Sequence, residues 1–261
     1  MLREKKPELL VVIPHSGLFI PAEIPLESLG ADFPILAGNI DWYTNWLYDF
    51  RDLLANRQLV FPFCSLILEA NRDPEVIDAA VPLFDIHNRP VYREGWEPSR
   101  QIRRSMADKY LRSFYEAIEE SILTGAGFLF EGHSTVSARG VAPDQIEIMN
   151  FQHSPMDEKP RFFCPDKLVQ DYAAELGKRL PEARVTVNSS SYYQVYGHIC
   201  SAYSGNGLAS QGKKVPALIQ ETSELLYKNP DQTVNVMALN RLRQAFAESI
   251  QVVLSGLWKD L

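Results

Sequence analysis

The sequence predicts an α/β protein in three layers, with a mostly parallel, mixed sheet covered by helices on both faces. Three observations carry this. Short runs such as residues 9–13 are apolar at every position, as in a strand buried on both sides. Longer stretches with apolar residues at helical spacing alternate with these runs. At 261 residues the chain can bury a sizeable core, and one domain spanning 1–261 is expected.

Taken in order, residues 9–13 form the first strand. Pro14, Ser16, Gly17 and two further prolines then keep 14–25 from being helical for long. Residues 40–54 read as a helix with Trp42, Trp46, Leu47 and Phe50 on its apolar stripe, and Asp41 in its first turn suits the helix dipole. Two short strands are expected at 59–63 and 65–69, before Asn71-Arg72-Asp73-Pro74. Residues 82–98 lack periodicity, and irregular segments of that length are often functional. In 104–123, Met106, Tyr110, Leu111, Phe114, Ile118 and Ile122 recur at helical spacing. A central strand follows at 127–131, and another at 145–150. Residues 166–180 read as a helix with Asp166 as N-cap, then a strand at 185–187 ends at Asn188. A polar, Gly-rich segment occupies 189–214. The strand 215–220 ends at Glu221, and 234–258 forms the closing helix. No internal repeat or linker divides the chain.

Acidic residues (33) outnumber basic ones (26), giving a net charge of −7. That excludes a general nucleic-acid binder, which needs surplus Lys and Arg at the phosphates. Cys64, Cys164 and Cys200 are widely spaced with no CxxC, so neither a disulfide framework nor a Cys-rich zinc site is expected. The apolar run near the N-terminus is too short to span a membrane and lacks a cleavage pattern. A cytoplasmic protein acting on a small molecule, without membrane partners, is the expectation.

Two strands end alike, in His15-Ser16 and in His133-Ser134. Ligands of open α/β sheets bind at the carboxyl ends of strands. Adjacent strands with these endings would bring two imidazoles together. A catalytic zinc takes three protein ligands, usually His and carboxylate, and keeps one position open. His15 and His133 are the imidazole candidates, with Asp41 or Glu131 as the acidic ligand. Glu131 and His133 alternate on an extended chain and so share a side. Glu131 is therefore a candidate ligand, a candidate for orienting His133, or a catalytic carboxylate. Glu221 is the candidate base. The alternative is that the two histidines are ordinary hydrogen-bonded residues of strand–helix turns; their matched context argues for a shared task. Arg72 and Arg139 are candidates for holding a substrate carboxylate, since Arg forms bidentate pairs with it. His198 is a candidate for lining the pocket. Ser16 and Ser134 lack the G-x-S-x-G elbow of a Ser hydrolase.

The series Pro14-His15-Ser16-Gly17, Asp41-Trp42-Tyr43, Asn71-Arg72, Gly132-His133-Ser134, Arg139 with Asp144, Asn188, Ile219-Gln220-Glu221 and Leu226-Tyr227 resembles the N-formylglutamate amidohydrolase family. The resemblance implies a three-layer fold like that of zinc carboxypeptidases, and hydrolysis of N-formyl-L-glutamate to formate and glutamate. It implies His15 and His133 as zinc ligands, Asp41 in the family's Asp-Trp position as the acidic one, and Glu221 as the glutamate acting on water. Asn188 joins Arg72, Arg139 and His198 among the substrate-binding candidates. Two departures stand out. Ser189-Ser190-Ser191-Tyr192 and Tyr196-Gly197-His198 replace a Pro-Tyr and Gly-Gly pattern. Glu131 stands where Asp or Asn is usual. Three readings follow: a zinc-dependent hydrolase of an N-acylated acidic amino acid, a non-catalytic small-molecule binder of the same fold, or an amidase acting on another N-acyl amino acid or a cell-wall peptide.

Overall fold

The structure is a computed structural model that describes residues 8–135, 142–152, 161–189, 197–204 and 215–257. In chain order its strands are β1 (Glu8–Ile13), β2 (Asn56–Val60), β3 (Ala126–Thr135), β4 (Gln145–Met149), β5 (Phe151–Gln152), β6 (Arg161–Phe162), β7 (Arg184–Val187) and β8 (Ala217–Ser223). Its helices are α1 (Phe33–Leu36), α2 (Thr44–Leu47), α3 (Ile77–Ala80), α4 (Arg100–Met106), α5 (Arg112–Leu123), α6 (Asp166–Arg179), α7 (His198–Tyr203) and α8 (Val236–Leu257).

Six strands form one sheet in the order β2-β1-β3-β8-β4-β7. Every neighbouring pair is parallel except β8 with β4. The apolar strands explain the arrangement, because both faces are covered. Leu10 and Val12 of β1 pack with Phe114, Ile118 and Ile122 of α5 on one face. Leu9, Val11 and Ile13 pack on the other face with α6 and α8 residues such as Tyr172 and Phe246. This is the expected three-layer architecture. β5 and β6 form a separate two-stranded ribbon. Among the described residues no helix is long and apolar enough to cross a membrane.

Several elements differ from the sequence-based expectation. The helix expected at 40–54 shrinks to the single turn α2, because Tyr43 takes a left-handed conformation (φ 63°) that a helix interior does not allow. No strand forms at 65–69; the chain turns there, and Leu66, Ile67 and Leu68 are buried as a loop. The long helix starts earlier, at Arg100 with Ser99 as N-cap, and contains a π-helical turn at Ala107–Leu111. Asp166 is not a cap: Pro165 holds the N-cap position and Asp166 begins α6. The polar segment contains α7, which carries His198 at its start. Both β3 and β8 run past their expected ends, so His133 and Glu221 lie within strands rather than after them, and Glu131 lies inside β3 rather than at its end.

Two glycines permit the close packing beneath the site. A Cβ on Gly132 would lie 2.5 Å from the Tyr48 ring, whose hydroxyl donates to the His133 carbonyl (2.7 Å). A Cβ on Gly17 would lie 2.3 Å from the backbone of Pro62. That close approach lets the chain after His15 run beside 61–64.

Candidate metal centre

β1 and β3 are adjacent and parallel, with Val12 opposite Glu131. The chain leaving β1 therefore passes His133 two residues further on, and this brings the two histidines together. Their Nδ1 atoms are 3.2 Å apart. Asp41, just before the Tyr43 break, supplies an Oδ2 at 3.1 Å from His133 Nδ1 and 3.6 Å from His15 Nδ1. One ligand atom from each of His15, Asp41 and His133 lies within 4.8 Å of the others. The backbone N–H of Ser134 donates to the same Asp41 oxygen (3.2 Å).

The far nitrogen of each ring meets a carboxylate. His15 Nε2 lies 2.5 Å from Glu69 Oε1, and His133 Nε2 lies 2.8 Å from Glu131 Oε1. Carboxylates in this position fix ring orientation and tautomer for a metal-binding histidine. Asn71 ties the pair together: its backbone N–H donates to Glu69 (2.9 Å) and its side-chain amide to Glu131. The other Glu131 oxygen accepts from the Cys200 amide at 3.1 Å.

Charge follows from this geometry. Burial would push His15 down, but Glu69 and Asp41 outweigh it and raise its pKa to about 9. His133 is likewise raised well above its ordinary value against its burial, by Asp41 and Glu131. Burial would lift Glu69, yet His15 draws it down to about 2. Asp41 is held below the usual carboxylate range by both histidines despite its burial. In the metal-free chain Asp41, Glu131 and the half-buried Glu69 thus favour the protonated form of both rings. Those protons are an awkward fit, since two Nδ1–H groups would face each other at 3.2 Å. Two imidazole nitrogens and one carboxylate oxygen converging on a point, with negative charge behind them, suit a divalent cation.

Glu221 is adjacent to His133 across the parallel β3–β8 pair. Burial, with Asp41 adding to it against the pull of His133, lifts its pKa to about 8. Among the described residues no Arg or Lys forms an ion pair with it.

The remaining candidates fall into different places. Arg72 adjoins the cluster: its guanidinium donates to the Asn71 carbonyl (3.0 Å) and its charge acts on Glu69. His198 opens α7, its N–H donating to the Asn71 carbonyl and its ring edge-on to Tyr115. Asn188 sits at the end of β7, two strands beyond β8, with its side chain bonded to Asn150 (2.7 Å). Arg139 lies outside the described residues. The role of Glu69 was missed from sequence, although Leu66-Ile67-Leu68-Glu69 shows the same apolar-to-polar ending that marked the histidines.

The model of the N-formylglutamate amidohydrolase family matches residues 8–212. No curated protein sequence matches the chain. Among solved structures, an N-formylglutamate amidohydrolase from Ralstonia eutropha JMP134 is 16% identical with a TM-score of 0.71, over 99% of this chain and 97% of that one. A gene product of Agrobacterium tumefaciens is also 16% identical, with a TM-score of 0.64 over 97% and 92% of the two chains. At such identities the two structures speak for the fold. The family match spans well over half of the sequence, and the chain belongs to the N-formylglutamate amidohydrolase family.

Proposed function

We propose that this amidohydrolase is zinc-dependent and cleaves a linear amide C–N bond, releasing a formyl group from an N-acylated acidic amino acid such as N-formylglutamate. The observation that carries the reading is the meeting of His15 Nδ1, His133 Nδ1 and Asp41 Oδ2, with Glu221 on the neighbouring strand. His15, His133 and Asp41 would hold the metal. Bound there, zinc would supply a Lewis acid that polarises the acyl oxygen and lowers the pKa of water to about 7.

The chain's own groups do the rest. Glu69 and Glu131 keep the ring nitrogens turned inward. The Glu221 carboxylate takes a proton from the attacking water as the water oxygen bonds to the acyl carbon. It returns that proton to the leaving nitrogen as the C–N bond breaks, giving formate and the free amino group. In the metal-free chain burial lifts the Glu221 pKa, which favours a carboxyl able to return its proton to the leaving nitrogen. Arg72 and Arg139 are the groups proposed to hold the substrate carboxylate.

Metal analysis of the purified protein, with a hydrolysis screen of N-formyl, N-acetyl and N-succinyl amino acids, tests this. About one zinc per chain and preferential hydrolysis of an N-formyl acidic amino acid are expected. Less than about one tenth of a zinc per chain, with no activity restored by added metal, would overturn it.

A further inference from the structure

The segment after β8 carries a buried ion pair that the proposed mechanism does not use. The Glu224 residue is 2% exposed, and its Oε2 pairs with Lys228 Nζ at 2.5 Å. The Lys228 side chain is 6% exposed. The other carboxylate oxygen, Oε1, accepts two hydrogen bonds: from the backbone N–H of Trp42 (3.3 Å) and from the Ser134 hydroxyl (3.1 Å). Trp42 follows Asp41, and Ser134 follows His133. One oxygen atom therefore joins the two segments that carry Asp41 and His133. A third tie comes from the same segment, where the Tyr227 hydroxyl donates to the Trp42 carbonyl at 3.0 Å.

The backbone around Asp41 needs such a tie. No long helix holds it, because Tyr43 takes a left-handed conformation with φ 63°. Beside its contact with His133 Nδ1 (3.1 Å), the Asp41 carboxylate is held to β3 by the Ser134 N–H at 3.2 Å. A carboxylate can take both donors on one oxygen while Lys228 balances the buried charge. Leaving either partner of such a pair alone is costly, so the two residues form one device.

We infer that Glu224, backed by Lys228, is a positioning residue that sets Asp41 against His133 for metal capture. This rests on the proposed zinc site. Its test is zinc affinity by chelator competition on the full chain, in the wild type and in two double variants. E224Q/K228M keeps an acceptor oxygen and removes the cation that would be stranded; its zinc affinity is expected within about threefold of wild type. E224A/K228M removes the acceptor; at least about tenfold weaker binding is expected. S134A removes one of the two donors with little demand on folding, and several-fold weaker binding is expected. Wild-type affinity in both E224A/K228M and S134A would overturn the inference. A wild type that binds no zinc would instead refute the metal reading. The clamp is then judged by hydrogen exchange at the Trp42 amide of the metal-free chain. Exchange at least about tenfold faster in E224A/K228M, but not in E224Q/K228M, supports the clamp, and unchanged exchange in both overturns it.

Discussion

Glu221 and Glu147 face each other across the antiparallel β8–β4 pair, and the chain treats these two identical residues differently. Glu147 is fully buried and saturated with donors. It accepts from the Ser189 N–H and hydroxyl (both 2.7 Å), from the Gln145 amide (3.0 Å) and from the Thr186 hydroxyl. Glu221 has no hydrogen bond from the described residues and feels the cluster through charge alone, with burial lifting its pKa to about 8. The two differ in donors and in exposure, Glu147 being fully buried and Glu221 half-buried. With four donors Glu147 anchors the strand end beyond it; Glu221, without donors, is the carboxylate proposed to carry the proton. The neighbour on the far side of each completes the contrast. Glu221 has His133 beside it in β3, whereas Glu147 has Thr186 beside it in β7.

The largest effect expected on this contrast comes from removing what makes Glu221 special. In His15→Ala or His133→Ala, zinc affinity should fall by more than the roughly 10–100-fold typical of losing an outer partner. Isothermal titration would show it, and zinc binding as tight as wild type in both variants would place the site elsewhere. Glu69→Gln keeps the metal-facing nitrogens and weakens only the orientation of His15. A loss of roughly 10–100-fold in zinc affinity is expected, checked by the same titration. Smaller still is Arg72→Lys, which keeps the charge but loses the two-pronged grip on a carboxylate. The Michaelis constant for an acidic substrate should rise with turnover little changed; an unmoved Michaelis constant would remove Arg72 from substrate binding.

The pH dependence has a definite sign. In the metal-free chain His15 is raised from 6.5 to about 9, so its protonated form stabilises the fold below pH 6.5 and that contribution is lost toward pH 9. Glu221, raised from 4.5 to about 8, works in the same direction, because its neutral form is the one the fold prefers. Melting of the metal-free protein should therefore occur at lower temperature as pH rises from about 6.5 to 9. Zinc needs the neutral imidazole, so its affinity should rise over the same range. A metal-free melting temperature that climbs with pH would contradict these charge assignments.

The same physics explains what could be seen in the sequence. His15 and His133 were legible because an apolar strand that stops at a His-Ser pair has few packing explanations, and adjacent parallel strands then bring the pairs together. Glu221 was legible for the same reason. Asp41 was offered beside Glu131 as the acidic ligand, and its setting was misjudged. The stripe of Trp42, Trp46, Leu47 and Phe50 has helical spacing, and nothing in that pattern reveals the left-handed Tyr43 that breaks it. Glu69 ends an apolar run, Leu66 to Leu68, that the structure buries in a turn rather than a strand, and its meeting with His15 is a contact 54 residues apart that no local pattern shows. The contrast between Glu221 and Glu147 could not be read at all. It depends on the β8–β4 register and on Ser189 and Thr186 arriving from β7 and its end, which are long-range contacts.

The most direct test of the account compares turnover of N-formyl-L-glutamate by zinc-loaded Glu221→Gln and Glu147→Gln. Each variant keeps the side-chain shape and loses the ability to carry the proton. Glu221→Gln should fold normally, retain its zinc and lose roughly 100-fold or more in turnover. Glu147→Gln should keep turnover within a few-fold of wild type, while losing about 1–3 kcal/mol of stability from a donor set left partly unmatched. Wild-type turnover in zinc-loaded Glu221→Gln, or equal losses in the two variants, would contradict the assignment of proton transfer to Glu221.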